Sequence, residues 1–352
     1  MAAKRPAKVI TWRDLIGEKD WEGLLKPLKP QLGQELTRYC KLIGVIIESF
    51  QEEEDSPLLG LPQHSESELL SLAGLSNDYT VEKYLFASTL NIRPENDDSL
   101  LGPQSGYSNW MGYVAVNTDK GMAKIGRREI VITIRGTIKR EEWYPKFCMQ
   151  ELVPAHDIFP KDRNVKPKLQ EGRYDYYVTA DSHESGYNRT SFRDQVLEAV
   201  KGLVAKYQSE ENLSIVVAGF SMGGAFATLI ATDLVYNGYN RIDGRANAIP
   251  VTAFAFANSP VGNKGFLNVA SKLNDLHILN VKHESDVNPD SPTQKDGYFH
   301  VGKQLVITMG VHNLDVYRQA IGQSQQAETS AAPMCPAPPK RLKINGGDDE
   351  HN

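Results

Sequence analysis

One short stretch constrains the fold of this chain more than any other. Residues 213–218 form a continuous apolar run, Gly219-Phe220-Ser221-Met222-Gly223 follows at once, and a helical pattern occupies 224–236. A strand without polar alternation must be covered on both faces, which is the condition of an inner strand in a parallel sheet. Such a strand also needs a crossover to its parallel neighbour, and a helix directly after it supplies one. A serine between glycines at this turn belongs on the carboxyl rim of the sheet, where small neighbours let the backbone pass closely.

The rest of the chain repeats that alternation. Residues 113–117 and 130–135 are β-rich. Phe192, Val196, Val200, Leu203, Val204 and Tyr207 form a helical stripe over 192–207, opened by Ser191 and Asp194 at the spacing of a capping box. Strands are predicted at 251–257, 278–282 and 305–309, with a helix near 264–273. The pattern predicts an α/β fold: a mostly parallel sheet with helices on both faces, of the α/β-hydrolase type that carries a G-x-S-x-G turn. Three regions are expected. Residues 1–107 read as an N-terminal helical cap (to about Phe50) and an acidic Pro/Gly/Ser-rich linker; 108–321 read as the main body; 322–352 read as a disordered tail, poor in apolar residues.

Composition excludes several alternatives. A net charge of −5 with no concentrated basic face argues against a nucleic-acid partner. Cys40, Cys148 and Cys335 are far apart and form no CxxC pair, so neither a disulfide framework nor a zinc site is expected. No run approaches the ~18 apolar residues of a membrane span, and 1–14 lack the apolar stretch of a signal peptide. The expectation is a cytoplasmic protein without a transmembrane segment.

Serine needs a base, because its hydroxyl is a poor nucleophile at neutral pH. In this fold the chain order is serine, acid, histidine. Of the downstream histidines, His277 and His283 bracket a strand, His300 precedes the last strand and His351 lies in the tail. His312 follows the strand at 305–309 and Gly310, on a loop past a strand end, and is the candidate base. Asp286 is the candidate acid, with Glu284 and Asp290 as competitors on spacing. For an oxyanion hole, one N–H would come from Met222 and another from Thr137, in the loop after the strand at 130–134; an ordinary turn explains Thr137 equally well. Residues 144–188 mix aromatics with charges and read either as a lid or as an insertion packed on the body. Lys139 and Arg140 are candidates for an anionic head group, or plain solvated loop charges.

Taken together these residues resemble the class 3 lipases, and within them the class II phospholipase A1 enzymes of plants. The likeness runs from Trp12 to about Ile321. It includes Trp12-Arg13-Asp14-Leu15, Ser108-Asn109-Trp110-Met111-Gly112-Tyr113, Arg135-Gly136-Thr137 with Glu142-Trp143, Asn188-Arg189-Thr190-Ser191, Ala257-Asn258-Ser259-Pro260, Asp286-Val287-Asn288-Pro289 and His312-Asn313-Leu314-Asp315-Val316-Tyr317. The resemblance implies hydrolysis of the sn-1 acyl ester of phospholipids such as phosphatidylcholine at a membrane or micelle interface, with no metal or organic cofactor. It implies Ser221 as nucleophile, Asp286 as acid, His312 as base, and Thr137 in the oxyanion loop. A broader glycerolipid or galactolipid lipase, and a non-catalytic lipase-like signalling protein, are the alternatives. Two stretches depart from the family pattern. The usual G-H-S-L-G-G has Phe220 and Met222 here, and V-H-x-G-W becomes Leu169-Gln170-Glu171-Gly172-Arg173.

Overall fold

The computed structural model describes residues 9–91, 104, 106–138, 142, 150–180, 186–308 and 310–330, with side chains to 323. In chain order its elements are α1 (Trp12–Leu15), α2 (Pro30–Ser49), α3 (Glu66–Leu69), β1 (Tyr79–Ser88), β2 (Ser108–Asn117), α4 (Asp119–Ile125), β3 (Arg128–Ile134), β4 (Leu152–Pro154), β5 (Lys168–Gln170), α5 (Glu171–Val178), α6 (Phe192–Lys206), β6 (Leu213–Phe220), α7 (Met222–Tyr236), β7 (Val251–Phe256), α8 (Lys264–Ala270), β8 (Leu276–His283), β9 (Lys303–Ile307) and α9 (Leu314–Ser330). Seven strands form one sheet in the order β1-β2-β3-β6-β7-β8-β9. The β1–β2 and β2–β3 pairs are antiparallel, and every pair from β3 to β9 is parallel. The loops after β6, β8 and β9 therefore leave the same rim of the sheet, the α/β-hydrolase arrangement.

β2, β3, β6 and β7 are buried along their whole length. Alternate residues of β6 feed two cores: Ile215 and Val217 face one apolar cluster, Val216 and Ala218 the other. The first cluster holds Phe192 of α6 and Phe226 of α7, with Tyr177 of α5 set edge-on to Phe192 at 5.8 Å. Helix α7 is buried from Met222 to Val235 and has no polar stripe, because sheet covers one side and the α5–α6 layer the other. The second cluster joins Leu36 and Ile43 of α2 to Tyr317 and Ile321 of α9, against Phe254 of β7. Helix α2 starts with proline at its first turn, where a missing N–H costs nothing. A buried ionic group pins it to β3: Glu129 takes Arg38 at 2.7 Å, Arg127 at 2.5 Å and the Tyr39 hydroxyl at 2.7 Å. Burial pushes the Glu129 carboxyl up, but Arg38 and Arg127 outweigh it and hold it down at about 2.

Two expectations about organisation need correction. The region read as cap and linker contains β1, which is the edge of the central sheet. Its first residues alternate buried Tyr79 and Val81 with exposed Thr80 and Glu82, so one wet face hid the strand among polar residues. The tail was expected from 322, yet α9 continues to Ser330; its Gln and Ala residues are good helix formers, and Leu314, Tyr317 and Ile321 dock its first turns. Residues 331–352 lie outside the described residues. Of the two readings of 144–188, an insertion packed on the body describes 150–180, where Ile158, Phe159, Tyr176 and Tyr177 are fully buried in the first core. Residues 144–149 and 181–185 of that segment lie outside the described residues.

Candidate active site

Ser221 sits between β6 and α7 with φ 55° and ψ −117°, a backbone conformation that side-chain-bearing residues rarely adopt. The surroundings impose it. The Ser221 N–H donates to the Phe256 carbonyl of β7 at 2.8 Å, while Gly224 and Ala225 donate back to the Ser221 carbonyl. The flanking glycines are required by close backbone approach: a Cβ on Gly219 would lie 2.8 Å from the Gly224 nitrogen, and one on Gly223 2.8 Å from the Ile134 carbonyl carbon. A helix's first N–H groups lack intrahelical partners, and Met222 begins α7 directly after Ser221.

The structure brings Ser221, Asp286 and His312 together. His312 Nε2 lies 2.8 Å from Ser221 Oγ, and His312 Nδ1 lies 2.8 Å from Asp286 Oδ2. Asp286 is 4% exposed and carries three donors: the His312 ring and the Tyr317 hydroxyl (2.7 Å) on Oδ2, and the Asn288 N–H (3.1 Å) on Oδ1. Burial raises its pKa, but the His312 and Tyr317 bonds outweigh that and hold it below the ordinary carboxylate range. The competing acids go elsewhere. Asp290 pairs with Lys282 at 2.6 Å, and Glu284 faces solvent. Of the other downstream histidines, His300 bonds the Pro289 carbonyl at 2.8 Å, His283 packs edge-on to Tyr317 at 4.2 Å, and His277 lies in β8. His351 lies outside the described residues. The acid and histidine loops are latched together, with Ser285 Oγ donating to the Gly310 carbonyl at 2.6 Å.

The loop after β3 passes directly over the serine turn. A Cβ on Gly136 would be 3.3 Å from Ser221 Cβ, and Thr137 Oγ1 reaches Met222 Sδ at 3.8 Å. Arg135 and Glu142 brace this loop. Arg135 bonds Glu142 at 2.5 and 2.8 Å, the Gly136 carbonyl at 2.9 Å and the Trp110 carbonyl at 2.7 Å, while Glu142 accepts the Ile138 N–H at 3.0 Å. Thr137 and Met222 are thus neighbours beside Ser221. Lys139 and Arg140 lie outside the described residues. A cleft of about 260 Å³ opens here, walled by Gly136, Thr137, Ile138, Phe220, His312 and, from α2, Ile47. Helix α2 therefore forms one wall of the cleft beside His312. Val287, next to Asp286, and Val311, next to His312, are 75% and 66% exposed, so an apolar rim flanks the opening.

Sequence reasoning passed over three contributors. Phe220, standing where the family pattern has histidine, packs its ring on His312 at 5.0 Å and on Tyr317 at 5.9 Å. Tyr317 was read only as part of a motif, and the Arg135–Glu142 brace only as a likeness. The signal for Tyr317 was its place five residues after His312 on a helix whose apolar stripe includes it.

Comparison with known proteins agrees with this architecture. The family model described as lipase (class 3) matches residues 131–296. Phospholipase A1-IIgamma of Arabidopsis thaliana is 38% identical over 307 residues, covering 84% of this chain and 71% of its own length. Phospholipase A1-II 6 of Oryza sativa subsp. japonica is 37% identical over 342 residues, covering 90% and 82%. Among solved structures, the nonglycosylated LIP2 lipase of Yarrowia lipolytica superposes with a TM-score of 0.51 at 18% identity, over 80% of this chain and 81% of that one. That last likeness concerns the fold alone.

Proposed function

Since the chain belongs to the class 3 lipases, in the phospholipase A1 class II group of plants, we propose that it hydrolyses the sn-1 acyl ester of glycerophospholipids through a covalent acyl-serine at Ser221. The observation that carries this reading is the unbroken hydrogen-bond chain from Asp286 through His312 to Ser221 Oγ, each link 2.8 Å long. In the first half-reaction His312 Nε2 accepts the Ser221 proton as Oγ bonds to the ester carbonyl carbon. Asp286 holds the ring in the tautomer with Nδ1 protonated and stabilises the imidazolium that forms, without taking the proton. Negative charge builds on the former carbonyl oxygen, and the Met222 N–H and Thr137 are its donors. Preorganised donors of this kind are worth roughly 10²–10³ in turnover each.

The tetrahedral intermediate collapses when His312 returns its proton to the departing sn-1 glycerol oxygen, which leaves as lysophospholipid. A water, deprotonated by the same nitrogen, then attacks the acyl-serine carbonyl, and His312 returns that proton to Ser221 Oγ as the fatty acid leaves. The Val287 and Val311 rim supports uptake from a lipid surface, because apolar side chains that remain wet in the free protein gain by entering the acyl boundary. The test is product analysis on a phosphatidylcholine with different chains at its two glycerol positions. Release of the sn-1 chain by wild type and no release by Ser221→Ala is the expected result. Release of the sn-2 chain, or equal activity in the two proteins, refutes the proposal.

A further inference from the structure

Most buried arginines here have an acid. Arg127 pairs with Glu129, and Arg135 with Glu142. Arg173, in the first turn of α5, is 8% exposed and has no carboxylate partner among the described residues. Its polar contacts are Nη1 to the Pro260 carbonyl at 3.3 Å and the nearby Tyr298; Nε is buried with no acceptor. Burial pushes the guanidinium down to about 10, with the nearby Tyr298 acting in the opposite direction. A buried cation in this condition is costly, because lost hydration is not replaced by an anion. A charge kept in an unfavourable place calls for a ligand that completes it.

The position says which ligand. Tyr176, three residues on and so on the same face of α5, lies against the Arg135–Glu142 brace of the oxyanion loop and 6.0 Å from the Phe226 ring of α7. Arg173 itself touches Pro260, in the loop after β7. Helix α5 thus spans from the β3 loop to the β7 loop, and the strand between β3 and β7 is β6, which ends at Ser221. Arg173 therefore packs on the loop after β7, the strand next to the one that ends at Ser221. In a glycerophospholipid the phosphodiester is joined to the sn-1 ester through the glycerol carbons. A planar guanidinium with free donors matches phosphate oxygens.

We propose that Arg173 is a specificity-determining head-group anchor, donating to a phosphodiester oxygen of the lipid whose ester is held at Ser221. This rests on the reading of Ser221 as the esterolytic nucleophile. It lies in Leu169-Gln170-Glu171-Gly172-Arg173, which departs from the family pattern, so the preference it confers is this chain's own.

The experiment measures kcat/KM for phosphatidylcholine and for diacylglycerol of identical chains, in the same neutral-detergent micelles, for wild type, Arg173→Met and Arg173→Lys. The phosphatidylcholine-to-diacylglycerol ratio should fall roughly 10- to 100-fold in Arg173→Met, the range for losing a charge-assisted hydrogen bond, and recover in part in Arg173→Lys. The Arg173→Met melting temperature should equal or exceed that of wild type, since an unpaired buried charge has gone. An unchanged ratio, or equal losses on both lipids with a lower melting temperature, overturns the anchor and makes Arg173 structural. A second arm is independent of turnover: Ser221→Ala is titrated with monomeric dihexanoylphosphatidylcholine, with and without Arg173→Met. Loss of binding in the double variant supports the anchor, and equal binding sinks it. If wild type hydrolyses no ester at all, including p-nitrophenyl butyrate, the serine reading has failed, and this arm still decides the anchor. Orthophosphate is titrated in parallel: binding of that ion lost in Arg173→Met, with lipid binding intact, assigns the guanidinium to a free anion and overturns the head-group role.

Discussion

Tyr317→Phe removes one oxygen atom and two bonds. The hydroxyl donates to Asp286 Oδ2 at 2.7 Å and accepts the His283 N–H at 3.0 Å. A hydrogen bond to a charged acceptor contributes about 1.5–3 kcal/mol, and a buried donor left unpaired costs about 1–3 kcal/mol. The His283 N–H would be left without that acceptor, so a total loss of about 3 kcal/mol is expected, several degrees in melting temperature. The phenyl ring keeps its packing on Phe220 and His283, so no cavity contributes. Catalysis should suffer less, because Asp286 retains His312 on Oδ2 and the Asn288 N–H on Oδ1. With one donor of three lost, the carboxylate is held less firmly and a fall in kcat of about tenfold is expected, equivalent to 1.4 kcal/mol, at nearly constant KM. The assays are thermal unfolding at pH 7 and steady-state hydrolysis of p-nitrophenyl butyrate. A variant as stable and as active as wild type would show that the hydroxyl does not support the acid in solution. A rise in KM with kcat unchanged would place Tyr317 in substrate binding instead.

Other substitutions probe separate parts of the account. Val287→Asp with Val311→Asp should lower the rate on phospholipid vesicles relative to that on p-nitrophenyl butyrate by tenfold or more, because two exposed apolar contacts with the lipid surface become charged; an unchanged ratio removes the rim from interfacial docking. Gly223→Ala should abolish hydrolysis and cost about 1–3 kcal/mol of stability, since its Cβ meets the β3 backbone at Ile134; a fully active variant would contradict the tight serine turn. Glu129 has a folded pKa of about 2 against an ordinary 4.5, so its stabilising contribution is complete above pH 4.5 and is lost as pH falls toward 2. That contribution is on the order of 3 kcal/mol. Glu129→Gln should therefore lower stability at pH 7 by about 3–5 kcal/mol and flatten the acid limb of a melting-temperature profile; an acid limb identical to wild type would exclude Glu129 as its source.

Much of the architecture was legible because its signals are local. β6 and β7 are apolar throughout, since both faces are covered, and the glycines around Ser221 answer a backbone contact that any strand-to-helix elbow makes. His312 is legible as a residue just past a strand end, a position that a parallel sheet turns into proximity; Asp286 shares such a position with Glu284 and Asp290 and is set apart by the family pattern. What stayed hidden depends on one-sided exposure or on partners remote in sequence. β1 carries Glu82 and Lys83 on its wet face and reads as linker. Helix α9 is held by apolar residues in its first turns, while its Gln-rich continuation has the composition of a tail. Residues 150–180 look like a surface insertion because their aromatics are spaced irregularly, yet Phe159 meets Tyr236 and Phe266 of distant elements. The surroundings of Arg173 were invisible for the same reason: that no carboxylate among the described residues pairs with it is a property of packing.

The central claim is that Ser221 is made nucleophilic by a base it meets only in the folded chain. A fluorophosphonate probe tests this directly, followed by mass-spectrometric mapping of the labelled peptide. The account predicts a single adduct on Ser221 in wild type, none in Ser221→Ala, and labelling slowed by about 10³-fold or more in His312→Ala. Wild-type protein that stays unlabelled, or an adduct on another residue that survives in Ser221→Ala, would contradict it.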